Sequence, residues 1–228
     1  MMTRRMLRAV GLATAFSVPT LILAFVVRVG WSTVADADAA AVRWATDLTR
    51  ARPALLDALL VGQELLQARW LNLGFAILCL LVWRAAGLGR RAVWAAGTVL
   101  VAWGMANLAK IAVERARPIV DDAVALAPGY SFPSGHTANA TAVAAAAVIL
   151  LWPLLRHRGR SLAVSAGLVL VLVTGADRVL LGVHYPSDVL GGVLLSTALV
   201  AGSAIGFLSA PREGPGSRPV VHPSQESR

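Results

Sequence analysis

The chain has 228 residues, 57% of them hydrophobic and 14% charged, with a mean hydropathy of +0.68 and a net charge of +9. An average soluble chain carries roughly 25% charged residues, so this deficit excludes an ordinary aqueous fold and points to a bilayer as solvent. The positive charge does not imply nucleic acid, because the arginines fall between apolar segments instead of along one stripe.

The first predicted span runs from about Ala9 to Val27. With Arg4 and Arg5 before it and the small-residue stretch Val34 to Ala39 after it, it resembles a signal peptide. Its apolar run exceeds the roughly 7–15 residues of such a segment, so an uncleaved anchor is preferred. Residues 31–70 then form a long outer segment. Within it, the helical periodicity from Pro53 predicts one interfacial helix lying on the bilayer, or else an early start to the second span.

Further spans are predicted at Leu71–Trp83, extended towards Trp70, and at Ala92–Ala112, Thr137–Leu155, Leu162–Leu181 and Val189–Leu208. Cys79, the one cysteine, lies in an apolar run and reads as a small packed hydrophobe. The tail 211–228, rich in Pro, Ser, Gly and charge, is expected to be disordered and cytoplasmic. The expected architecture is all-α: a polytopic membrane helical bundle with six transmembrane helices, forming one domain over residues 1–210.

Loop charge sets an expected orientation. Basic clusters at Arg4, Arg5 and Arg8, at Arg84, Arg90 and Arg91, at Arg156, Arg158 and Arg160, and at Arg212 and Arg218 occupy alternate segments. The positive-inside rule makes all of these cytoplasmic, in the plasma membrane, with both termini inside. The opposite ends of the spans then face outward, and they carry three notable clusters.

The first cluster runs from Lys110, the only lysine in the chain, to Arg117 and Pro118. Lys110 and Arg117 are seven apart and would share a helix face if the third span continued, until Pro118 ends it. Arg115 between them reads as a basic side chain snorkelling to the interface. The second cluster is Pro133-Ser134-Gly135-His136 at the start of the fourth span. Ser134 can cap that helix, Gly135 admits close backbone approach, and the first free N–H groups attract anions. The third runs from Arg178 to His184 and Asp188.

An arginine at membrane depth costs roughly 2.5–3.5 kcal/mol on insertion scales, so Arg178 needs a partner. Asp177 is adjacent, and neighbours on a helix point apart, so a phosphoryl group is the better expected partner. Asp188 can hold one nitrogen of His184 and aim the other. It also suits a helix N-cap, with the carboxylate then serving one role at a time. Together the clusters form an inventory for holding a phosphoryl group and passing it through a histidine.

Lys110 to Pro118, Pro133 to His136 and Arg178 to Asp188 resemble the three-part signature of the type 2 phosphatidic acid phosphatase family, which also includes vanadium haloperoxidases and glucose-6-phosphatase. One position departs from it: Asp177 stands where Ser is common. The resemblance implies an integral membrane phosphatase with His184 as nucleophile, Asp188 supporting it and His136 as acid and base. Lys110, Arg117, Ser134, Gly135 and Arg178 would hold the phosphate, with no metal and no other cofactor. The implied partners are the bilayer and a lipid phosphate or diphosphate: phosphatidate, phosphatidylglycerophosphate or a polyprenyl diphosphate. The competing readings are a lipid or sugar phosphotransferase, a vanadate-dependent haloperoxidase, and a transporter or structural membrane protein with a degenerate site. The sequence leaves the oligomeric state open.

Overall fold

The structure, a computed structural model, describes residues 2–120 and 124–209. Among these residues the regular elements are all helices: α1 (Met2–Arg28), α2 (Ser32–Arg50), α3 (Pro53–Leu65), α4 (Ala68–Ala86), α5 (Gly89–Val113), α6 (Gly135–Leu151), α7 (His157–Leu180) and α8 (Pro186–Ser209). The tail 211–228 lies outside the described residues. The chain is an integral membrane protein with an all-α helical bundle. Helices α4, α5, α7 and α8 are each long and apolar enough to cross a bilayer, and the end of α1 forms with α2 a further apolar pair bent by 86°. Helix α6 is apolar but has 17 residues, about 26 Å at 1.5 Å per residue.

The outer segment is two helices, not one. Helix α2 is amphipathic but nearly neutral in overall hydropathy, so it does not read as a span; its buried face is Asp38, Val42, Ala45, Thr46 and Thr49. The spacing is helical, yet these residues are small or polar and carry little hydropathy signal. Helix α3 begins with Pro53 at a position where its missing N–H costs nothing.

Helix α6 is the hub of the bundle and packs against α4, α5, α7 and α8. Its alanines let the other helices approach closely: Ala138, Ala140, Ala142 and Ala146 are all buried. With Phe75, Cys79 and Val82 of α4, Ala95, Val99 and Ala102 of α5, and Val200 of α8, the inner half of α6 builds the main apolar cluster. Large apolar side chains such as Leu80, Leu100, Leu168 and Leu172 stay exposed on the outer faces, where lipid replaces water as their contact.

The chain reverses at the far end of the bundle through the residues that matter most. Helix α5 stops at Val113, because Glu114 takes a left-handed conformation with φ of 52° and its N–H closes on the Lys110 carbonyl at 2.9 Å. The expected continuation of this helix to Arg117 does not occur. Arg117 therefore sits in the loop and does not share a helix face with Lys110. Two glycines bring the second and third clusters together. A Cβ on Gly192 would lie 2.8 Å from the Ser134 carbonyl oxygen, and one on Gly191 would clash with the Phe132 ring. The first turn of α8 thus presses against the start of α6, and the Ser134 N–H donates to the Asp188 carbonyl at 2.9 Å.

Candidate active site

All three clusters meet at one end of the bundle, at the C-terminal ends of α5 and α7 and the N-terminal ends of α6 and α8. The basic clusters around Arg84 to Arg91 and Arg156 to Arg160 lie at the opposite end. There Arg91 donates to the Ile149 carbonyl near the end of α6 at 3.0 Å.

His184 is buried in the turn that joins α7 to α8. Its Nδ1 lies 3.4 Å from Asp188 Oδ2, and its Nε2 lies 3.2 Å from Arg117 Nη1. A guanidinium only donates, so Nε2 is the accepting nitrogen and the proton sits on Nδ1, facing the carboxylate. Burial holds the His184 pKa down at about 4; the Asp188 carboxylate opposes this and the nearby Arg117 and Lys110 charges reinforce it. At neutral pH the imidazole is therefore uncharged, with its Nε2 lone pair free to act as a nucleophile once Arg117 shifts.

Asp188 is fully buried and uses both oxygens. Oδ2 faces His184 and also accepts the Tyr185 N–H at 2.9 Å, while Oδ1 accepts from Arg115 Nη1 at 2.6 Å. The helix-start role and the imidazole role are thus served together, which corrects the expectation that one excludes the other. The reason is register. Helix α8 begins at Pro186, so Asp188 is its third residue and reaches back to the chain before the helix, as an acid in a capping box does.

Arg115 also departs from expectation. Instead of snorkelling, it is a nearly buried cation whose side chain is 12% exposed, paired with Asp188 and, at 2.7 Å, with Asp38 of α2. It donates to Ser187 Oγ at 2.7 Å and lies 4.1 Å from the centre of the Tyr185 ring. Burial alone would weaken its charge, but Asp188 and Asp38 outweigh that and raise its pKa. The only sequence signal for this role was that Arg115 is charged inside a cluster already under suspicion; Asp38 carried none.

Arg117 is held by loop carbonyls. Its Nε donates to Gly129 at 3.0 Å, Nη2 to Pro128 at 2.9 Å and Nη1 to Val183 at 2.8 Å. Lys110 donates to the Tyr130 carbonyl at 2.8 Å, and its stem passes close over Gly135. Ser134 caps α6 as expected, accepting from the Thr137 N–H at 3.4 Å and the Thr137 hydroxyl at 3.0 Å. His136, in the first turn of α6, lies near the cations Arg178, Lys110 and Arg117, and its buried Nε2 has no hydrogen-bond partner among the described residues.

Arg178 corrects the argument from adjacent positions. Its Nε donates to Asp177 Oδ2 at 2.8 Å, its Nη2 contacts the same oxygen, and Nη1 donates to Gln63 of α3 at 3.1 Å. The Cα–Cβ bonds of neighbours do diverge, but a guanidinium on a long, flexible stem can curl back to the next carboxylate. Among the described residues, no group of three His, Cys, Asp or Glu side chains gathers in a way that could hold a metal ion.

A membrane bundle that gathers an ammonium, guanidinium groups, two imidazoles and a buried carboxylate at one end defines a class of membrane proteins built to receive an oxyanion. The profile of the PAP2 superfamily matches residues 91–210, and the chain belongs to that superfamily. Among its relatives, phosphatidylglycerophosphatase B of Escherichia coli (strain K12) is 47% identical over 75 residues, covering 32% of this chain and 27% of that protein. The chain thus matches little more than a quarter of that relative's length. Decaprenylphosphoryl-5-phosphoribose phosphatase of Mycobacterium tuberculosis (strain H37Rv) is 38% identical over 136 residues, covering 57% of this chain and 69% of that protein. The fold is similar to the crystal structure of a transmembrane PAP2 type phosphatidylglycerolphosphate phosphatase from Bacillus subtilis, with a TM-score of 0.67 and 26% identity over 86% of this chain and 94% of that one.

Proposed function

We propose that this protein is a membrane phosphatase that hydrolyses a lipid phosphate or lipid diphosphate through a phosphohistidine, without a metal. The observation that carries this reading is the orientation of His184. Its Nδ1–H faces the Asp188 carboxylate, which accepts it, and Nε2 is left as an acceptor beside Arg117 and the cup.

The chemistry balances without another reactant. Nε2 of His184 attacks phosphorus as the bond from phosphorus to the leaving oxygen breaks, and His136 gives that oxygen a proton. Water then attacks the phosphohistidine, the N–P bond breaks, and His136 takes the water proton back. A bound phosphate offsets the cations around His136 and so lets it carry a proton at the start. Lys110, Arg117, Arg178, Ser134 and the Gly135 N–H hold the phosphoryl oxygens, replacing their present carbonyl and carboxylate partners. Asp188 stabilises the imidazolium character that develops on His184.

Six membrane spans are part of the proposal, with α1 and α6 added to α4, α5, α7 and α8 in one domain over residues 1–210. Loop charge supports cytoplasmic termini in the plasma membrane and an extracytoplasmic site. An amphiphile can then reach the cup from the leaflet with its tail still in lipid. Phosphatidylglycerophosphate and a polyprenyl-linked sugar phosphate are the first candidates, since the names of the relatives specify such substrates. Phosphate release from a panel of these lipids and phosphatidate, with purified protein in detergent micelles, tests the reading. Full activity in EDTA and its loss in His184→Ala are expected. Strict dependence on a divalent ion, or turnover that survives in His184→Ala, would refute the scheme; transfer of the phosphoryl group to a lipid or sugar hydroxyl in place of water would make the protein a transferase.

A further inference from the structure

We propose that Asp38 and Arg115 are positioning residues for the nucleophile, forming a chain from Asp38 through Arg115 to Asp188 and His184 that fixes which nitrogen of His184 is free. The proposal rests on the phosphohistidine reading above and adds to it two residues, one of them on a helix outside the segment 91–210 that the superfamily profile covers.

The geometry is continuous. Arg115 spends one terminal nitrogen on Asp188 Oδ1 at 2.6 Å and the other on Asp38 Oδ2 at 2.7 Å. With Oδ1 held, the carboxylate plane of Asp188 cannot turn, and Oδ2 stays towards His184 Nδ1 and the Tyr185 N–H. Asp38 fixes the same turn by a second route. Its Oδ1 accepts the Ser187 N–H at 3.1 Å, and its Oδ2 accepts from the Ser187 hydroxyl. Arg115 also covers the Tyr185 ring. Residues 185, 187 and 188 are thus clamped from outside by one arginine and one carboxylate, and His184 lies inside the clamp.

The electrostatics favour this arrangement over a plain structural link. A buried carboxylate without a cation would be a costly group to keep ionised, and a buried guanidinium facing a single carboxylate would compete with His184 for it. Two carboxylates on one guanidinium divide its pull. Asp38 therefore keeps Arg115 from drawing Asp188 away from the imidazole. Neither Asp38 nor Arg115 reaches the phosphoryl group in this scheme, so both act through Asp188.

The experiment compares Asp38→Asn and Arg115→Lys with the full-length protein, in detergent micelles containing phosphatidylglycerophosphate. By analogy with the outer partners of metal-ligating histidines, whose loss costs about 10–100-fold, kcat is expected to fall by about that factor while KM stays within about threefold. Asp36→Asn, an exposed acid on the same helix, is the control and leaves kcat unchanged. The decisive readout is spectroscopic. The chain has four histidines, so ring ¹⁵N signals at neutral pH can be assigned with a His184→Gln reference. Wild-type His184 is expected as the Nδ1–H tautomer, and both variants are expected to gain the Nε2–H form. An unchanged tautomer ratio with unchanged kcat in Asp38→Asn would overturn the proposal, as would a loss expressed only in KM. If Asp38→Asn fails to fold, Asp38→Glu and Arg115→Lys, which keep both charges, are judged by the same two readouts. If wild-type protein releases no phosphate from any lipid probe, the phosphatase reading fails, while the ¹⁵N signals still decide whether Asp38 and Arg115 set the tautomer.

Discussion

Two arginines, Arg178 buried and Arg115 nearly so, flank the cup, and they are bonded in opposite ways. Arg115 joins three segments of the chain, because its carboxylate partners Asp38 and Asp188 lie on α2 and α8. Arg178 turns back to its own neighbour, Asp177, and reaches only the neutral Gln63 elsewhere. The first pattern is a cross-link whose opening would disturb the turn that carries His184. The second is a local pair that can open without moving a helix. An ion pair that crosses elements suits a fixed part of a site, and a pair between adjacent residues suits a group that must change partner. On the proposed phosphatase reading, Asp177 would stand in for the phosphate, occupying the Arg178 fork until substrate arrives.

The largest expected effect comes from breaking the end of the cross-link. Asp188→Asn keeps the shape of the side chain but not its charge, and the imidazole loses the partner that sets its tautomer. By analogy with hydrolytic triads kcat should fall about 10⁴-fold, measured as initial phosphate release under saturating lipid. Retention of even a tenth of wild-type turnover would mean that the carboxylate does not serve His184.

Removing the Arg178 fork should cost less. Arg178→Ala is expected to lose about 2–4 kcal/mol of transition-state stabilisation, read as the drop in kcat/KM. It also strands Asp177 as an unpaired buried acid, so Tm should fall as well. The double variant Arg178→Ala with Asp177→Asn sharpens the comparison: Tm should recover while kcat/KM stays low. Recovery of both would make Arg178 a structural residue only.

The smallest effect is a gain. If Asp177 competes for Arg178, only the open fraction binds phosphate, and Asp177→Asn should raise that fraction. Inhibition by inorganic phosphate should then tighten several-fold with kcat little changed. Weaker inhibition would mean that Asp177 orients Arg178 and does not compete with the ligand.

Much of this site was legible from residue types and spacing. Lys110, Arg117, Ser134, Gly135, His136, Arg178, His184 and Asp188 are close together in three short runs, and each run abuts an apolar segment that had to be a helix. What could not be read was partner choice. Arg115 and Arg117 differ by two positions, carry the same charge and sit in the same motif. The stop at Glu114 decides that one turns inward to carboxylates while the other is wrapped by the carbonyls of Pro128, Gly129 and Val183. The Asp177–Arg178 pair is invisible to an argument from Cβ direction, because the reach of the arginine side chain decides it.

The sequence by itself determined the solvent, the long apolar helices and the chemistry available, because apolar run length, loop charge and residue type are local properties. The tertiary structure alone decided which charge neutralises which. Asp38 meets Arg115 across 77 positions of sequence, on a helix whose buried face of small and polar residues does not say what it packs against. Ion pairing depends on distances of a few ångströms between side chains from separate helices, and those distances exist only after the bundle has closed.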